Sequence, residues 1–161
     1  MSRAILPGSY DPITLGHLDI VKRAAAHYDE VVVAVMNNDA KTYMFSMAER
    51  TRMVTLATAE LSRVRVVSSE GLLIDLFDRE DADVIVKGVR NCADRAYEEK
   101  MAAWNLEHNP RAKTVFMQAA DDFETVSSTV VREALLKGEW PQGLLPAPVL
   151  SYLRDQKNAA K

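Results

Sequence analysis

Apolar positions along the chain follow two alternating periods. Short runs rich in β-branched residues predict strands at Ala4–Leu6, Glu30–Met36, Val64–Ser68, Val84–Lys87 and Thr114–Met117. Between them lie longer stretches with one apolar stripe. They predict helices over Leu15–Tyr28, Met47–Glu60, Leu72–Glu80 and Ala96–Glu107. In the first of these, Leu18, Val21, Ala25 and Tyr28 form the stripe. Two more helices follow strand 5: one capped by Ser127-Ser128-Thr129 and stopped near Lys137-Gly138, and a last one over Val149–Lys157. Gly88 reads as the break that ends strand 4, with Val89 to Asp94 a loop. Strict alternation of strand and helix predicts an α/β fold: a Rossmann-like, doubly wound, parallel five-stranded sheet with helices on both faces. Residues 1–161 are expected to form a single domain, a size that buries about 68–70% of the unfolded surface.

Such sheets bind ligands at the C-terminal ends of their strands. That rule draws Ser9, Tyr10, Asn37, Lys87, Gly88 and the stretch from Gln118 onward towards one site, although they are far apart in sequence. The turn after strand 1 carries the strongest local signal. Thr14 stands where a helix N-cap is expected, and Gly16 and His17 fall in the first helical turn. Unpaired amides and the helix dipole make that turn an anion site, and an imidazole there can donate to a phosphate. Ser127-Ser128-Thr129 repeat the logic with more hydroxyls than one cap requires. Lys87 ends an apolar strand, where a buried charge needs a counter-charge that a bound phosphate would supply. Neither the dinucleotide glycine signature nor the Walker lysine motif is present.

Composition narrows the classes. A net charge of −3 lacks the basic footprint of a general nucleic-acid binder, so no nucleic-acid partner is expected. The longest apolar run, Val31–Met36, is too short to span a membrane. A lone cysteine, Cys92, and an N-terminus that enters a strand at once, without signal-peptide architecture, lead to a cytoplasmic expectation. No His, Cys and Asp cluster has metal-ligand spacing, so no protein-held metal is expected. His27 and His108 read as helix-end residues, Met36, Met53 and Met117 as core, and Trp104 and Trp140 as packing or interface residues.

The stretch Pro7-Gly8-Ser9-Tyr10-Asp11-Pro12-Ile13-Thr14-Leu15-Gly16-His17 resembles the signature of nucleotidyltransferases with a Thr/His-x-Gly-His motif. Lys41 with Met44-Phe45, Lys87-Gly88-Val89-Arg90, Tyr97-Glu98 and Val126 to Glu133 extend the likeness along the chain. Within that superfamily the chain resembles the bacterial phosphopantetheine adenylyltransferase family. The resemblance implies adenylyl transfer from ATP to 4′-phosphopantetheine, giving dephospho-coenzyme A and pyrophosphate. It implies His17, Lys41 and Ser9 as catalytic residues, and Ser9, Lys41, Leu73 and Lys87 on the acceptor, with Leu72 beside Leu73. It implies Ser9, Tyr10, His17, Gly88, Val89, Arg90, Glu98, Phe123, Ser127, Ser128 and Thr129 on ATP, Glu98 near the ribose and Phe123 facing the adenine. Magnesium, a homohexamer and coenzyme A as a candidate feedback ligand come with it. Where the family often has arginine, this chain has Lys87, and the segment Asn91–Ala96 also departs from the usual form. The Thr-x-Gly-His turn alone leaves two alternatives open: a related enzyme with another phosphorylated acceptor such as nicotinate mononucleotide, or a non-catalytic nucleotide sensor.

Overall fold

A computed structural model describes residues 2–159. Five parallel strands form one sheet: β1 (Arg3–Gly8), β2 (Glu30–Met36), β3 (Val64–Ser69), β4 (Val84–Val89) and β5 (Thr114–Gln118), in the order β3-β2-β1-β4-β5. The helices are α1 (Leu15–His27), α2 (Met47–Ala57), α3 (Leu73–Arg79), α4 (Cys92–His108), α5 (Ser128–Leu136) and α6 (Ala147–Ala159), with a short 3-10 turn at Asp121–Phe123. The doubly wound architecture is the one the alternation predicts.

The three inner strands β1, β2 and β4 bury residues on both faces, as central parallel strands do, while the edge strands β3 and β5 are only partly covered. Ala4 and Leu6 of β1, Val31, Val33 and Val35 of β2, and Val86 of β4 pack on α1, α2, α5 and α6 through Val21, Met53, Val131 and Val149. Ile5, Val32, Ala34 and Ile85 point the other way, onto Leu76 and Phe77 of α3. Helix α4 covers the sheet thinly. Among its described residues only Asn105 is buried, while Tyr97, Met101, Trp104 and Leu106 are exposed.

The order of winding reverses between β1 and β4, and there the sheet opens. β1 pairs with β2 from Arg3↔Glu30 to Gly8↔Val35, but with β4 only at Ala4↔Val84 and Ile5↔Ile85. Beyond Ile85 the two strands part, leaving a crevice at the switch point.

Several expected boundaries move. Gly88 does not break strand 4: the strand runs on to Val89 because its pairing with β5 continues through Gly88↔Met117 and Val89↔Gln118. A Cβ at Gly88 would stand 2.9 Å from Ile20 Cγ1, so the glycine serves close packing of α1 on β4. β1 likewise continues through Pro7 and Gly8, where it has parted from β4 and tolerates a proline as an edge does. The Val89–Asp94 segment is no loop beyond Asn91. α4 starts at Cys92, four residues early, because the Asn91 side chain accepts from the Asp94 amide at 2.9 Å. α6 starts at Ala147, with Pro148 in its first turn, where a missing N–H costs nothing. Among the described residues, no helix is long and apolar enough to cross a membrane.

Candidate active site

The turn between β1 and α1 is built around His17. Thr14 is the N-cap of α1: its Oγ1 accepts from the His17 amide at 3.3 Å, and its own amide donates to His17 Nδ1 at 3.0 Å. A backbone N–H can only donate, so Nδ1 is the acceptor nitrogen and the ring proton sits on Nε2. Burial lowers the His17 pKa from 6.5 to about 4, and the charges of Arg90 and Lys87 push the same way. The ring is therefore a neutral N–H donor.

Tyr10 backs that ring, edge-on at 5.1 Å between centroids. Its Oη donates to the Leu6 carbonyl at 2.9 Å, and burial raises the phenol pKa well above the ordinary value. A Cβ on Gly8 would come within 2.9 Å of the Tyr10 ring, so glycine is needed to seat it. The Tyr10 hydroxyl is committed inside the fold, and the ring supports His17.

Two clefts open at the switch point. The first, of about 320 Å³, is lined by every expected nucleotide residue: Ser9, Tyr10, His17, Gly88, Val89, Arg90, Glu98, Phe123 and Ser127–Thr129. The second, of about 660 Å³, runs past Leu72 and Leu73 and beneath Tyr97, Met101 and Trp104 of α4. Ser9, Lys41, Lys87 and Glu98 line both, so the expected acceptor-phosphate residues form the junction. Gly88 contributes backbone wall, its role in packing α1 having set its identity.

Several of the expected site residues also have partners inside the fold. Lys87 Nζ lies 3.3 Å from Glu98, which gives the lysine a counter-charge inside the protein. The surplus hydroxyls at the start of α5 are also engaged. Ser127 Oγ caps the helix through Val130 N, Ser128 Oγ donates to Pro12 O at 2.8 Å, and Thr129 Oγ1 accepts from Arg132. What α5 offers an anion is its free first-turn amides and the Ser127 and Thr129 O–H groups, which accept within the fold but keep their donors, whereas the Ser128 hydroxyl donates to Pro12. Arg90 pairs with Asp94 at 3.0 Å, and Gln118 holds the Arg90 carbonyl at 3.0 Å. Lys41 is exposed and forms no ion pair among the described residues.

Sequence reasoning assigned no role to Asp11, Arg132 or Arg50. The Asp11 carboxylate, 2% exposed, accepts the amides of Met44 and Phe45, each at 2.9 Å, and so ties the Lys41 loop to the His17 turn. Arg132 joins the first cleft and donates to the Asp11 carbonyl at 2.8 Å. Arg50 is buried against the ends of β1 and β2. All three were visible only as charges inside helix or turn patterns, and their partners lie across the fold.

The site can hold a phosphate chain between an imidazole N–H, two lysines, an arginine and two helix N-termini. Comparison with known proteins identifies the family. The cytidylyltransferase-like family model matches residues 5–134. Phosphopantetheine adenylyltransferase of Symbiobacterium thermophilum is 40% identical over 97% of this chain and 96% of its own length. Its namesake from Limosilactobacillus reuteri is 38% identical over 97% and 90%. A crystal structure from Vibrio parahaemolyticus, provisionally named as a nicotinate-nucleotide adenylyltransferase, superposes with a TM-score of 0.73 at 20% identity, covering 96% of this chain and 93% of that one. At that identity the likeness speaks for the fold.

Proposed function

The chain belongs to the cytidylyltransferase-like family, among its phosphopantetheine adenylyltransferases, and on that premise we propose that its two clefts present ATP and 4′-phosphopantetheine to each other. It is a nucleotidyltransferase of coenzyme A biosynthesis: the adenylyl group of ATP passes to the acceptor phosphate, giving dephospho-coenzyme A and pyrophosphate. The observation that carries the residue assignment is the junction, where Ser9, Lys41 and Lys87 belong to both clefts.

The reaction is an in-line displacement. A phosphate oxygen of the acceptor attacks the α-phosphorus of ATP, and the bond to the β-phosphate oxygen breaks. No protein nucleophile is required, so catalysis is positioning and charge stabilisation. Lys41, which has no ion-pair partner among the described residues, grips the incoming phosphate, and Lys87 shares its charge between Glu98 and that phosphate. His17 Nε2–H donates to the oxygens of the α-phosphoryl group as charge builds there. Being neutral, it gives a hydrogen bond without surrendering a proton. Arg90 and the first amides of α5 hold the departing pyrophosphate. Ser9 stands between the two substrates. Leu72, Leu73 and the exposed apolar side of α4 line the larger cleft and suit the pantetheine arm.

Magnesium, carried on ATP, supplies neutralisation of phosphate charge. The carboxylates lining the first cleft, Asp11, Asp94 and Glu98, all have internal partners, and no cluster among the described residues is arranged to hold a metal. That donor set fits an ion held by phosphates and water. Assembly into a homohexamer accords with the part of α4 that faces away from the cleft, where Leu106 is exposed. Residues 1–161 act as one catalytic domain in the cytoplasm, and coenzyme A, which shares the pantetheine arm, is a candidate feedback ligand.

The test is pyrophosphate release from Mg-ATP with a panel of acceptors. Release is expected with 4′-phosphopantetheine and none with nicotinate mononucleotide. The reverse preference would assign another acceptor, and no release with any would make the chain a nucleotide sensor.

A further inference from the structure

Arg50 lies in the first half of α2 and is 1% exposed. A buried charge normally requires a charged partner. Arg50 has none within ion-pairing distance among the described residues. Its partners are neutral. Nε donates to Phe45 O at 3.1 Å, Nη1 to Ser9 O at 3.0 Å and Met36 O at 3.2 Å, and Nη2 to Asn37 Oδ1, while the guanidinium lies over the Tyr43 ring at 4.0 Å. These groups come from three separate walls of the junction: the end of β1, the end of β2 and the loop that carries Lys41. Asp11 holds the same loop from the opposite side, through Met44 N and Phe45 N. Both backbone groups of Phe45 are thereby fixed, one by a carboxylate and one by a guanidinium.

We propose that Arg50 is a positioning residue for the acceptor phosphate, locking Ser9 and the Lys41 loop into one geometry. Its charge, which no carboxylate cancels, also adds to the positive potential beneath that phosphate. Ser9 borders both clefts, but Met36 and Asn37 line the larger cleft alone and none of its partners lies at Arg90 or the N-terminus of α5, so its effect falls mainly on the acceptor half of the site. The proposal rests on the assignment of Lys41 to that half.

Arg50→Lys keeps the charge and loses the planar fork. The variant is made in the wild-type and Lys41→Ala backgrounds, and steady-state constants for 4′-phosphopantetheine and for ATP are measured beside thermal unfolding. Arg50→Lys is expected to lower kcat/KM for the acceptor by about tenfold or more while KM for ATP moves by less than about threefold. On Lys41→Ala the same change should cost less than about threefold, because the lysine it positions is gone. Asn37→Ala, which removes one anchor of the guanidinium at a strand end, should shift acceptor use in the same direction by a smaller factor, and it serves if Arg50→Lys does not fold. Equal losses for ATP and acceptor, or an undiminished loss on Lys41→Ala, would overturn the proposal. The wild-type arm reports separately on the substrate: turnover with nicotinate mononucleotide instead would displace the acceptor assignment, and the split between acceptor and ATP would then be read with that nucleotide.

Discussion

The proton on His17 sits on Nε2 because the Thr14 amide, 3.0 Å away, occupies Nδ1. Protonating Nδ1 would set two donors against each other, and burial beside Arg90 and Lys87 opposes the charge as well. With a native pKa of about 4 against an ordinary 6.5, the unfolded chain binds a proton in that interval that the native one does not. The stability this side chain contributes is therefore complete above about pH 6.5 and drains away as pH falls towards 4. Nitrogen NMR of the ring should show the Nε2–H tautomer at pH 7 and titration near 4; titration near 6.5 would contradict the neutral-donor role. His17→Ala should fold and lose roughly 10²-fold or more in kcat. The place of His17 in the capped first turn of α1 was legible in the sequence because its partner is three residues away. The Lys87–Glu98 pair, across a strand and a helix, was not, nor were the far-reaching contacts of Arg50 and Arg132. Residue types announce a charge, but only the fold says what it meets.

Strands and helices were legible where burial is uniform along the element. β2 has the bounds its β-branched run predicts, since both faces of a central strand demand the same residues. Element ends were less so. Gly88 reads as a break in one dimension, yet β5 keeps the strand paired past it, and the missing side chain answers to Ile20 on α1. Gly88→Ala tests that reading. The added methyl should push α1 away from β4, cost roughly 1–3 kcal/mol in chemical denaturation, and lower kcat by displacing His17. A variant as stable and active as wild type would show that the contact has slack. The early start of α4 follows the same lesson: Asn91 and Asp94 form a cap that the apolar pattern, which begins later, does not signal.

At the scale of the whole molecule, the site follows from topology. Reversal of winding between β1 and β4 parts the strands after Ile85, and the helix N-termini and loops at that edge converge on the gap. Strand alternation was enough to place Ser9, Lys87 and Gly88 at one edge, but not to show two clefts or a shared wall. A net charge of −3 also conceals the local balance. Lys41, Lys87, Arg90 and Arg132 line the first cleft against Asp11, Asp94 and Glu98, whose carboxylates are already engaged. The division of labour between the clefts is tested most directly by a crystal structure with dephospho-coenzyme A bound. The account predicts adenosine in the 320 Å³ cleft beside Phe123, the pantetheine arm in the 660 Å³ cleft along Leu73, and the diphosphate at the junction within hydrogen-bond reach of His17 Nε2 and Lys41 Nζ. Both arms lying in one cleft, or a diphosphate out of reach of the imidazole, would contradict it.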